Sequence, residues 1–198
     1  LQYIFMVLVT TGLGFGLTYA FGYKDAEEEV TEAKEVVEAN EAAAPVLSDE
    51  TIVSPIVGQM VDLKDVNDPV FSSGAMGQGV AVKPSEGVVY APADAEVTIA
   101  FATGHAYGLK TAKGAEILIH VGIDTVSMNG DGFDQKVAQG DKVKAGDVLG
   151  TFDAAKIAAA GLDDTTMVII TNTADYASVT PVAEGTVAKG DAVIELKA

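Results

Sequence analysis

Two histidines are the only imidazoles in this chain. His105 lies in "FATGHAYGLKT" and His120 closes the apolar run of "AEILIHVGIDTV". The intervening "KTAKGAEI" reads as a hairpin turn with a glycine, so the two flanking runs pair antiparallel. A turn centred between Ala112 and Lys113 sets the histidines directly opposite one another, with Cβ atoms roughly 5 Å apart. A centre one residue later makes them diagonal neighbours on one face. A centre on Lys113 itself puts them on opposite faces. Two close imidazoles near neutral pH suit nucleophilic work, one ring attacking while the other donates a hydrogen bond to developing charge. They also suit zinc, given a third or fourth ligand. The plain alternative is a pair of satisfied structural histidines. Gly104 and Gly122 flank the pair, keeping the surface low for an approaching backbone or phosphoryl group. Thr103 is placed to share a strand face with His105 and fix its tautomer, and is equally an ordinary β-favouring residue.

The elements that carry these residues are strands. From about Asp49 to Ala198, short alternating stretches such as "GVAVKP", "TMVIITN" and "DAVIELK" are punctuated by Gly, Pro, Asp and Asn. That spacing predicts an all-β antiparallel sandwich or barrel over residues 49–198. "SPIVGQMVDL" echoes "APADAEVTIA", and "GDKVKAGDVLGTFD" echoes "AKGDAVIELK", as though one β unit were used twice. "DAAKIAAAG" predicts one short helix with Asp153 as N-cap and Gly161 as stop.

Two other regions precede this one. Residues 1–23 include "YIFMVLVTTGLGFGLTYAFGY", which has no charged residue. Its length matches the ~20 residues of a transmembrane helix, and its tyrosines suit the membrane interface. With no basic segment before it and Leu1 at its start, it reads as the last span of a longer membrane protein rather than a signal peptide. Residues 24–48 form an acidic linker rich in Ala, Glu and Val. Ten acids and two lysines fall between Lys24 and Glu50, nearly half of the net charge of −17. Such a balance argues against nucleic acid as a partner and favours basic protein surfaces. The absence of cysteine excludes disulfides, thiolate metal sites and a cysteine nucleophile in this chain.

"ILIHVGIDTV", "GDGF" and "GDKVKAGDVLGTFD" follow one another in order, preceded by "ATGHA", "DPVFSSGAMGQGVAVKP" and "VYAPADAEV". This series resembles the glucose-type enzyme IIA domain of the bacterial sugar phosphotransferase system, over about Thr51 to Lys197. Ala95 and Gly104 depart from the family's usual residues. The resemblance implies a β-sandwich with a shallow active-site depression. It implies that His120 accepts a phosphoryl group from the phosphocarrier HPr and passes it to a cysteine of a IIB domain. His105 would stabilise that group and Thr103 would complete the hydrogen-bond network. Val70, Phe71 and Met76 match an apolar docking rim. Asp68 and Asp124 match acidic positions facing a basic HPr surface, with Gly122 beside them. For Asp124, a turn carboxylate bonding nearby amides is the rival reading.

"LTYAFGYKD" resembles the end of a IIC membrane domain of the β-glucoside, sucrose or trehalose type, in which IIA follows IIC. That implies a cell-membrane protein with residues 49–198 on the cytoplasmic side. No metal or cofactor is implied, although a zinc ion bridging His105, His120 and a partner's carboxylate is conceivable. Two other readings stand beside this one. One is a regulatory IIA-like module on a non-phosphotransferase sugar symporter. The other is a zinc peptidase, for which two histidines are few.

Overall fold

The computed structural model describes residues 47–198. The apolar and acidic stretches before residue 47, with the transmembrane helix and linker expected there, lie outside the described residues. Among the described residues no helix is long and apolar enough to cross a membrane.

Fourteen strands are described, and every pairing between them is antiparallel. The largest sheet has eight strands. Its centre is β3 (Gln78–Pro84), β11 (Thr166–Ile170), β7 (Glu116–His120) and β6 (Ala106–Thr111), in that order. β13 (Thr186–Val187) and β2 (Gly58–Val61) extend one side, and β5 (Ala95–Ala100) and β9 (Lys142–Val143) the other. Two three-stranded sheets accompany it. One orders β1 (Glu50–Val53), β14 (Ala192–Lys197) and β12 (Ser178–Pro181). The other orders β4 (Val88–Tyr90), β10 (Val148–Phe152) and β8 (Phe133–Gln135).

The side-chain period of two explains how the large sheet divides its load. In β7, Ile117 and Ile119 enter the main core, with Tyr107, Leu149, Val168 and Ile194 among its members. Leu118 points to the other face, against a smaller cluster of Val66, Phe71, Ala81, Met167 and Ile169. β11 serves both faces, and its five residues are all buried. That is why "TMVII" reads as an unbroken apolar run rather than an alternation. His120 has the parity of Leu118, so β7 delivers its imidazole to the face of the smaller cluster.

That face is roofed by a short helix, α1 (Pro69–Ser72), and a 3-10 turn at Leu63–Asp65. Asp68 caps α1, its carboxylate accepting the Val70 amide at 2.7 Å, and Pro69 occupies the first helical position. The second helix, α2 (Ala154–Ala159), is the one expected from "DAAKIAAAG". Asp153 accepts the Ala155 and Lys156 amides, and Gly161 lies beyond its end with φ 76°. The echo of "GDKVKAGDVLGTFD" in "AKGDAVIELK" corresponds to one turn made three times. Asp141, Asp147 and Asp191 each accept the amide three residues earlier at 2.8 Å. Each follows a glycine of positive φ.

Candidate functional site: two converging imidazoles

The hairpin joining β6 to β7 turns through Thr111–Ala115, where Gly114 takes φ 93°. Ala106, not His105, pairs with His120. The hairpin is thus centred on Lys113, the register expected to separate the histidines, and the directly opposed arrangement is not the one observed. The rings meet nonetheless, with centroids 5.0 Å apart and planes at 78°. Parity binds only residues inside the ladder, and β6 begins at Ala106. A turn closed by the Gly104 amide on the Phe101 carbonyl, with Gly104 at φ 67°, brings the chain into His105 from outside the strand. A Cβ at Gly104 would also press on Phe133 at 3.0 Å, so glycine suits this departure from the family pattern.

Each ring is held by one nitrogen. His120 Nδ1 lies 2.8 Å from the Gly122 carbonyl. A carbonyl only accepts, so Nδ1 carries the proton and Nε2 keeps a free lone pair. His105 Nδ1 lies 2.6 Å from the Thr103 hydroxyl, which can serve as donor and leave the proton on Nε2. Thr103 is therefore a partner of His105, but not on a shared strand face: both lie in the turn before β6.

Burial sets the charge of both rings. His105 is 4% exposed, and desolvation, then the neighbouring His120, brings its pKa down to about 4. Desolvation also lowers His120, against the Gly122 carbonyl and the carboxylates of Asp68 and Asp124, which favour its charged form. Both rings are neutral at pH 7, and the half-buried His120 is the one with access to a reactant.

The remaining expected residues divide. Val70 and Met76 are exposed. Phe71 is not a rim residue: it is 6% exposed, belongs to the smaller core cluster, and rests its ring 5.1 Å from that of His120. Gly122 has φ 76°, and a Cβ there would meet Thr125 at 2.4 Å. Asp124 is exposed with φ 58° and makes no side-chain cap, so the turn-carboxylate reading fails for it and holds instead for Asp68. The sequence reading missed Phe101 and Val126, both exposed. Phe101 tilts over His105 at 5.3 Å between centroids. It also lines an apolar groove with Met76, Ile99, Gly108 and Leu118. The available signal for Phe101 was an aromatic that ends the alternation of Val97 and Ile99, directly before a glycine-containing turn. Among the described residues, no group of three or more His, Cys, Asp or Glu is placed to hold a metal ion. A zinc site would have the two imidazoles alone from this domain.

The fold and the site define an antiparallel β-sandwich domain built to present a neutral histidine backed by a second one. A family model described as "phosphoenolpyruvate-dependent sugar phosphotransferase system, EIIA 1" matches residues 50–176. The glucose permease IIA of Mycoplasma capricolum superposes with a TM-score of 0.72 and 36% identity, over 76% of this chain and 97% of that one. A glucose-specific EIIA component of Bacillus anthracis is 45% identical over 72% of this chain and 87% of its own length. β-Glucoside-specific EIIBCA components are also similar. That of Dickeya chrysanthemi is 44% identical over 172 residues, and that of Bacillus subtilis 41% over 191 residues, 96% of this chain. The chain spans only 27% and 30% of those two proteins. This chain belongs to the EIIA 1 family of the sugar phosphotransferase system, and is a phosphotransferase relay component.

Proposed function

We propose that His120 Nε2 is the phosphoryl acceptor, taking the group from HPr and passing it to a cysteine of a IIB domain. The observation that carries this reading is the hydrogen bond from His120 Nδ1 to the Gly122 carbonyl. It leaves a neutral nitrogen lone pair on Nε2 of a half-buried ring, with the His105 ring 5.0 Å away between centroids. In the transfer, the P–N bond on the donor imidazole breaks as the P–Nε2 bond forms. The Nδ1 proton of His120 stays in place. The charge that appears on the ring is spread toward the Gly122 carbonyl. His105 donates from Nε2 to a phosphoryl oxygen while the Thr103 hydroxyl holds Nδ1. Little covalent work falls to the protein, so the rate depends on positioning and electrostatics.

Val70, Met76, Phe101 and Val126 form the apolar part of the docking face. Asp68 and Asp124 give it negative charge for a basic partner. The match to an EIIBCA component over 191 residues runs well into the stretches before residue 47. It supports reading residues 1–23 as the end of a IIC membrane domain and 24–48 as a tether, with residues 49–198 as the IIA domain. The chain is then the C-terminal part of a permease of the β-glucoside, sucrose or trehalose type, in the cell membrane with its IIA domain cytoplasmic. The sugar is chosen by IIC. The same match favours a permease over a symporter.

The test is phosphorylation by phospho-HPr. His120→Ala takes up no phosphate, whereas His105→Ala accepts it and delivers it poorly to IIB. Labelled phosphate on the His120→Ala chain would overturn the assignment.

A further inference from the structure

The Gly122 carbonyl that holds His120 is one end of a planar peptide unit. The other end is the Ile123 N–H, which donates to the Asp163 carbonyl at 2.8 Å. That carbonyl also occupies the approach a Cβ on Gly122 would need, 2.8 Å from it. Asp163 is therefore in contact with the peptide that sets the tautomer of His120, although it comes from the α2–β11 connection.

Asp163 is itself tied down. Its carboxylate accepts the Thr165 amide at 2.8 Å and the Thr165 hydroxyl at 2.6 Å. Lys83, in β3, reaches Asp163 at 2.8 Å and Asp164 at 2.6 Å. Burial pushes the Asp163 carboxyl up, but the bonds from Lys83 and Thr165 more than offset this and hold it at about 2. A single exposed ion pair contributes little to stability. Here one cation spans two consecutive acids, so its effect is to fix the turn that carries the Asp163 carbonyl.

We propose that Lys83 and Asp163 are positioning residues for His120, acting through the Gly122–Ile123 peptide. The line runs from Lys83 to the Asp163 carboxylate, then from the Asp163 carbonyl to Ile123 N–H, then from the Gly122 carbonyl to Nδ1–H of His120. Hydrogen bonds in series polarise one another, so a peptide held at its N–H end is a better acceptor at its carbonyl. The inference rests on His120 being the phosphoryl acceptor.

The test uses ring-nitrogen NMR of the full chain labelled with 15N-histidine, which gives only two imidazoles to resolve. The native His120 shows the Nδ1–H tautomer alone. In Asp163→Ala the Nε2–H tautomer appears, and phosphoryl uptake from phospho-HPr slows roughly tenfold at unchanged KM, as for a reacting group slightly misplaced. Lys83→Gln, an exposed change that leaves the core intact, shifts both readouts in the same direction by less. Should Asp163→Ala fail to fold, Lys83→Gln carries the test alone. A folded variant with an unmixed Nδ1–H tautomer and native uptake overturns the proposal. A native chain that shows the tautomer but takes no phosphate overturns the relay reading instead.

Discussion

At the scale of single residues, the site depends on keeping two imidazoles uncharged inside protein. His105 makes the larger demand, because its folded pKa of about 4 lies well below the value of an unfolded chain. Above pH 6.5 both states are neutral and nothing is lost. As pH falls through about 6.5 the unfolded state binds a proton that the folded state refuses. Stability therefore declines until the folded group titrates near pH 4. The loss attributable to His105 amounts to up to about 3 kcal/mol. Denaturant unfolding of His105→Gln, followed from neutral to acid pH, is expected to show a shallower decline than the native chain. An unchanged slope would mean that the ring is not desolvated as described. Gly122 gives a second residue-scale expectation. Gly122→Ala must accommodate φ 76° and a 2.4 Å contact with Thr125, so it is expected to lower stability by about 1–3 kcal/mol and to cut phosphoryl uptake. Thermal unfolding and uptake measured on one preparation check this.

At the scale of elements, a four-residue helix sets the environment of His120. α1 places Phe71 against the ring and the Asp68 carboxylate within electrostatic reach of it. Asp68 has two roles that substitution separates. Asp68→Asn keeps an oxygen for the Val70 amide but removes the charge, and is expected to lower the His120 pKa further with little loss of stability. Asp68→Ala also removes the cap and is expected to cost about 1 kcal/mol more. NMR titration of His120 and denaturant unfolding of both variants distinguish the two effects. The strands and α2 with its Asp153 cap were legible in the sequence, because each follows from local periodicity or turn chemistry; the histidines were expected to meet, but through a pairing that is not the one observed. The hairpin register was not legible, since one residue of shift in the Thr111–Ala115 turn changes every pairing. The rings converge through the bend at Gly104, a feature of the strand end that alternation does not encode. Phe71 resembled a rim residue because burial against Ala81, Met167 and Ile169 depends on strands far away in sequence. The contact of Lys83 with Asp163 was out of reach for the same reason.

At the scale of the molecule, the described domain carries exposed apolar side chains, Val70, Met76 and Phe101 among them, on a chain of net charge −17. In the proposed relay, association with a basic carrier would be steered by charge and anchored by apolar contact. Raising the ionic strength is expected to increase KM for phospho-HPr while leaving kcat almost unchanged. Val70→Lys, at a side chain 53% exposed, is expected to raise KM roughly tenfold, the effect of losing one good apolar anchor. Steady-state transfer kinetics check both. The central claim, that one nitrogen of one ring carries the phosphoryl group, has a direct measurement: 31P–1H correlation NMR of the chain after reaction with phospho-HPr. A single phosphorus signal coupled to the ring protons of His120 as an Nε2 adduct is the predicted result. Phosphorus on Nδ1, on His105, or on a chain carrying His120→Gln would contradict the account.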